Sequence, residues 1–92
     1  MSKFARGRSW IEQRLVDRFV VEGSEYSVDL VARRGTGVQG FRVSVIYLPR
    51  GDAKEVEAGL PNASTIADVH RLARELQADE PRLHELYRTA RG

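Results

Sequence analysis

Tyr26-Ser27-Val28-Asp29-Leu30-Val31-Ala32-Arg33 and, beyond a glycine-rich link, Phe41-Arg42-Val43-Ser44-Val45-Ile46-Tyr47-Leu48 decide the fold of this chain. In each stretch apolar and polar residues alternate, and β-branched and aromatic side chains are enriched. A period of two with that composition marks half-buried strands. The phase puts Tyr26, Val28, Leu30 and Ala32 on one face of the first stretch, and Phe41, Val43, Val45 and Tyr47 on one face of the second. Gly35-Thr36-Gly37-Val38-Gln39-Gly40 between them reads as a hairpin loop.

Working outward toward the N-terminus, residues 9–22 carry two signals. Ser9-Trp10-Ile11-Glu12 is a capping-box pattern, and Ile11, Leu15 and Phe19 recur at helical spacing. Against this, Phe19-Val20-Val21 leads into the turn Glu22-Gly23-Ser24-Glu25 just before the next strand. The reading is a strand over about 15–22, with residues 9–16 left open between strand and helix. Toward the C-terminus, Pro49-Arg50-Gly51-Asp52 is a turn, and Lys54–Gly59 is either a loop or a short edge strand. Thr65 then offers a helix cap, and Ile66, Val69, Leu72, Ala73 and Leu76 form a helical stripe. Asp79-Glu80-Pro81 restarts the chain, and Leu83, Leu86, Tyr87 and Ala90 make a second stripe. The expected fold is α+β: a three-stranded antiparallel meander (about 15–22, 26–34 and 40–48) followed by one or two helices (about 65–78 and 81–90) packed on one face. Residues 1–8 read as a flexible basic arm, and 9–91 as a single domain.

Composition narrows the function classes. The chain has 92 residues, of which 41% are hydrophobic and 30% charged, as in ordinary globular proteins. Without cysteine there is no disulfide, thiolate nucleophile or Cys-ligated zinc. No apolar run approaches the roughly 20 residues of a membrane span. The N-terminus lacks the apolar core of a secretory signal, which predicts a cytoplasmic protein. The net charge of +2 is unevenly spread, at +4 for residues 1–50 and −2 for 51–92.

Several motifs fail on context. Residues 35–40 spell G-x-G-x-x-G, but a dinucleotide site needs a helix after the glycines and here a strand follows. The kinase version needs a valine at Arg42 and a nearby strand lysine, and neither is present. Arg50-Gly51-Asp52 is a turn, and Asn62-Ala63-Ser64 is only a formal glycosylation acceptor. His70 and His84 stand too far apart to share a metal, and Ser64 and Thr65 read as helix caps. The carboxylates read as solvated charges. The sequence therefore predicts no catalysis, no cofactor and no metal.

Two functional expectations follow. The first is a small non-catalytic cytoplasmic domain acting through protein contacts, with self-association as a homodimer among its forms. Its expected interaction surface is Ile46 and Leu48, on the sheet face opposite Val45 and Tyr47, together with Leu83, Leu86 and Tyr87 of the last stripe. The alternative is a weak nucleic-acid-binding domain using the basic arm and the 33–42 hairpin. Its contacts would be Arg6, Arg8, Arg33, Arg34 and Arg42, with Trp10 as a lone aromatic beside the arm.

Overall fold

A computed structural model of the chain describes residues 10–34 and 40–91. Four antiparallel strands, β1 (Trp10–Val21), β2 (Ser24–Arg33), β3 (Phe41–Pro49) and β4 (Val56–Ala63), form one sheet in the order β1-β2-β3-β4. Two helices follow, α1 (Ile66–Gln77) and α2 (Glu80–Arg91). The α+β class and the meander are as expected; the count of three strands is corrected to four. β4 decides the 54–59 alternative for an edge strand and carries it on to Ala63; it is missing from the expected three because Gly59, Pro61 and Asn62 interrupt its pattern, and all three residue types are depleted in strands. What makes it a strand is pairing. Val56, Ala58 and Leu60 lie opposite Tyr47, Val45 and Val43, and continue the apolar face of β3. β1 also begins earlier than 15–22. Residues 10–14 and Val16 pair with β2, so the described part of the open segment, 10–16, is strand, while residue 9 lies outside the described residues.

Local chemistry explains the joints. Glu22 and Gly23 both have positive φ, at 51° and 78°, the two-residue hairpin geometry that matches the twist of its flanking strands. The Thr65 hydroxyl accepts the Asp68 N–H at 3.1 Å and starts α1. An Asp79 carboxylate oxygen accepts the Arg82 N–H at 3.2 Å at the start of α2, and Pro81 falls in the first turn, where its missing N–H is not needed.

Both helices cover the same face of the sheet. α1 lies against β1 and α2 against β4. Val69, Ala73 and Leu76 of α1 and Leu83 and Tyr87 of α2 meet Phe19, Tyr26, Val28, Leu30, Phe41, Val43, Val45 and Tyr47. Ile66, counted in the α1 stripe, is instead 48% exposed, because it opens the helix before the first turn reaches the sheet. Leu83, Leu86 and Tyr87 also depart from the expected interaction surface. Leu83 and Tyr87 are sealed in the chain's own core, and Leu86 is half-buried against it. A sheet has a whole apolar face to cover, and one 12-residue helix leaves the β4 side open, so α2 is drawn in.

Three tyrosine rings pack edge to face in this core. Tyr47 lies 5.3 Å from Tyr87 and 6.3 Å from Tyr26, between ring centroids. Their hydroxyls are satisfied internally. Tyr47 donates to the Leu83 carbonyl at 2.6 Å, and the Tyr26 and Tyr87 hydroxyls share a bond of 2.7 Å. Burial pushes the Tyr47 phenol far up from its usual value. Burial and then the Tyr87 hydrogen bond push up that of Tyr26.

Both sheet edges are irregular. β1 shifts register against β2 between Arg14 and Val16 and again between Val16 and Phe19. β4 shifts against β3 where Pro61 and Asn62 intervene. Bulges and an edge proline discourage strand addition. Among the described residues, no helix is long and apolar enough to cross a membrane.

Candidate functional site: the arginine end of the uncovered sheet face

The face away from the helices is built from the other half of each alternation. Across β2 and β3 it presents Glu25, Ser27, Asp29, Val31 and Arg33 beside Leu48, Ile46, Ser44 and Arg42. Its middle is less polar than the sequence implies. Asp29 is only 5% exposed and Val31 2%, both on a central strand between long neighbours. Asp29 keeps its charge company through the Arg14 guanidinium, which bonds it directly and holds its own proton more tightly for that reason.

The charges at the hairpin-turn end near Glu25 cancel. Arg14 pairs with Asp29 and, at 3.1 Å, with Asp17. Arg18 and Arg50 share Glu25 at 3.1 and 3.3 Å, and Arg50 also donates to the Asp17 carbonyl at 2.7 Å. This consumes the arginine of the Arg50-Gly51-Asp52 turn.

The opposite end gathers arginines. Arg33 and Arg42 are direct cross-strand partners, so two guanidinium groups stand on one face in one row. Like charges directly opposite destabilise a sheet unless something lies between them. A cavity of about 390 Å3 opens there, lined by Arg33, Arg34, Arg42, Ser44 and Glu57. Glu57 is its single carboxylate and stands 3.7 Å from Arg33. Arg34 lies with its guanidinium carbon 5.1 Å from the centre of the Phe41 ring. Among the described residues, Arg42 has no carboxylate within ion-pair distance. Among the described residues the lining thus carries three guanidinium groups, one carboxylate and a serine hydroxyl, and is rich in hydrogen-bond donors.

Backbone packing fixes this end. Gly40 has φ of +85°, and an added Cβ would collide with the Ala63 carbonyl oxygen and stand 3.2 Å from Ser64 Cα. Glycine is therefore required where β3 begins, two residues before Arg42, because the chain presses there against the β4–α1 junction. Gly40 leads into β3, not a helix, as the dinucleotide motif would require.

Of the residues expected at a nucleic-acid contact, Arg33, Arg34 and Arg42 line one cavity. Trp10 is the register partner of Arg33, which puts Trp10, Arg33 and Arg42 in one row across three strands. Arg6 and Arg8, with the basic arm of residues 1–8, lie outside the described residues, as do loop residues 35–39. Ile46 and Leu48 do lie on the uncovered face and are half-buried. Ser44 and Glu57 were not anticipated. Ser44 needed only the parity of β3, whereas Glu57 needed β4. His84 packs on Phe19, with centroids 4.6 Å apart, and His70 meets Gln13 at 3.3 Å.

No protein family, no curated protein and no solved structure matches this chain.

Proposed function

We propose that the chain is a non-catalytic domain that binds the phosphate backbone of nucleic acid through the arginine end of its uncovered sheet face. One observation carries this reading: Arg33 and Arg42 oppose each other across the β2–β3 pair, and Arg34 lines the same cavity, with Arg42 lacking a carboxylate within ion-pair distance among the described residues. An oxyanion between the guanidinium groups relieves their repulsion and accepts their hydrogen bonds. Weak, sequence-independent contact is expected, because Arg14, Arg18 and Arg50 at the other end of the face are already paired with carboxylates.

The test is fluorescence anisotropy of a labelled single-stranded oligonucleotide across a salt series. Two to three phosphate contacts give a log–log salt slope of about −1.4 to −2. Arg42→Gln is expected to flatten that slope by about 0.7 and to weaken binding. Removal of residues 1–8 flattens it further if Arg6 and Arg8 also reach phosphates. Absence of binding at about 50 mM salt, or full binding by the Arg42→Gln chain, counts against the reading.

A second reading, contact with protein including self-association, is favoured by Val20. It is 53% exposed on the same face that carries Ile46 and Leu48. With both edges irregular, such contact would use the face and not strand addition. Sedimentation equilibrium of the chain and of Ile46→Lys tests it. A monomer in both, at all concentrations, removes the homodimer.

A further inference from the structure

A second cavity, of about 230 Å3, lies between the start of β2, the β3–β4 connection and the last turn of α2. It is lined by Ser24, Tyr26, Ala53, Lys54, Val56, Tyr87 and Arg91. Along β2 it is seven residues from the Arg33 row, roughly 24 Å at strand spacing.

Its lining is rich in hydrogen-bond donors and has no carboxylate. Arg91 spends Nη1 on the Tyr87 hydroxyl and on the Glu22 carboxylate, both at 3.1 Å. Nη1 carries two hydrogens, so those two contacts use it fully, and the hydrogens of Nη2 and Nε remain. Lys54, in the β3–β4 connection, has no carboxylate within ion-pair distance among the described residues. The Tyr26 and Tyr87 hydroxyls hold two protons between them and share one bond, so one proton is left for Ser24 or for the cavity. Burial keeps the Tyr26 phenol protonated well beyond neutrality, and hence a donor. Ala53 and Val56 supply an apolar wall. The carbonyls ending α2 bring some negative potential nearby, which Arg88 and Arg91 in that last turn offset.

We infer that this cavity is a binding site for a small aliphatic carboxylate, its carboxylate held by Lys54 and Arg91 and its tail laid against Ala53 and Val56. At a water's share of ~30 Å3 for each non-hydrogen atom, the volume takes about eight, the size of hexanoate. Glu22 helps by position. It holds Arg91 through the same Nη1 that meets Tyr87, from a turn residue with φ of 51°, a conformation that glutamate adopts at some cost. The inference does not depend on nucleic-acid binding, since the two cavities share no residue.

The experiment is a titration of the full chain with sodium hexanoate, followed by amide and arginine side-chain 1H–15N correlation spectra. Hexanamide, which has the same number of non-hydrogen atoms and no charge, is titrated in parallel. Saturable shifts are expected at Ser24, Lys54, Val56 and Arg91, with a Kd of ~1–10 mM. Hexanamide should bind about tenfold more weakly, and Lys54→Gln should weaken hexanoate about three- to tenfold. Lys54 is exposed, so that variant keeps the fold. Tyr26→Phe provides a second readout, with the shifts of Ser24 and Arg91 altered in the free protein. The inference is overturned by linear, unsaturable shifts, by equal affinity for hexanamide, or by shifts confined to Arg33, Arg34 and Arg42.

Discussion

Two glycines with nearly the same backbone conformation offer a controlled test of how the arginine end is held. Gly23 has φ of +78° and Gly40 +85°, so an alanine at either site bears the same left-handed penalty, about 1–2 kcal/mol. Their surroundings differ. An added Cβ at Gly23 meets nothing within 4 Å, whereas at Gly40 it runs into the Ala63 carbonyl and stands 3.3 Å from the Ala63 carbonyl carbon. Those atoms are backbone at the β4–α1 junction and cannot swing aside as a side-chain tip would. Relief requires that β3 and the junction part, at a further cost of about 1–3 kcal/mol, the range of overpacking in a filled core. Urea unfolding at neutral pH is the assay, with the midpoint compared at constant m. Gly23→Ala should lose about 1–2 kcal/mol and Gly40→Ala about 2–5 kcal/mol. A domain of this size has roughly 5–14 kcal/mol in hand, which leaves room for the Gly23→Ala loss and for all but the upper end of the Gly40→Ala loss. In the Gly40→Ala chain the largest amide shifts should cluster at residues 41–43 and 62–65. Equal losses for the two variants would refute the claim that close packing, and not conformation alone, demands glycine at the start of β3.

Further expectations rest on burial and capping. Leu76→Ala, in the α1 seam, should cost about 2–5 kcal/mol, while Ile66→Ala at the exposed start of the same helix should cost well under 1 kcal/mol; urea midpoints separate them. Thr65→Ala removes the cap on the Asp68 N–H and should cost about 1 kcal/mol in the same assay. Alkaline stability follows from Tyr26 and Tyr47, whose phenols titrate higher folded than unfolded. The folded state then holds more protons than the unfolded one above pH ~10, so stability is complete below that pH and falls as pH rises toward the folded values. Each of the two tyrosines contributes up to about 1.4 kcal/mol per pH unit of loss. Tyrosinate absorbance should rise together with unfolding; ionisation near pH 10 in a chain that stays folded would contradict the buried placement.

The strands that alternate cleanly were legible in the sequence, and so were both helices, because each buries one face and leaves the other wet. Phe41-Arg42-Val43-Ser44-Val45 needed no tertiary context to be read. β4 did, since Gly59 and Pro61 argue locally against a strand and only pairing with β3 outweighs them. The same loss hid Glu57 from the site. The arginines at 33, 34 and 42 were legible as candidates, but their gathering around one cavity depends on the register of β2 against β3, which a hairpin of unknown turn geometry does not reveal. Leu83 and Tyr87 misled in the opposite sense. A second apolar stripe suggests a partner, and whether that partner is the chain's own sheet depends on where the short Ala78–Asp79 link lets α2 turn.

The order of elements along the chain has a consequence for synthesis. All four strands precede both helices, so the meander leaves the ribosome ahead of the helices that cover its apolar face. At ~5–20 residues per second, residues 66–91 take roughly one to five seconds to follow. During that interval Tyr26, Val28, Leu30, Phe41, Val43 and Val45 face water on a chain still tethered at its growing end. The bulged and proline-bearing edges then matter most. They hinder neighbouring nascent sheets from joining edge to edge while the helices that complete the fold are still in the exit tunnel.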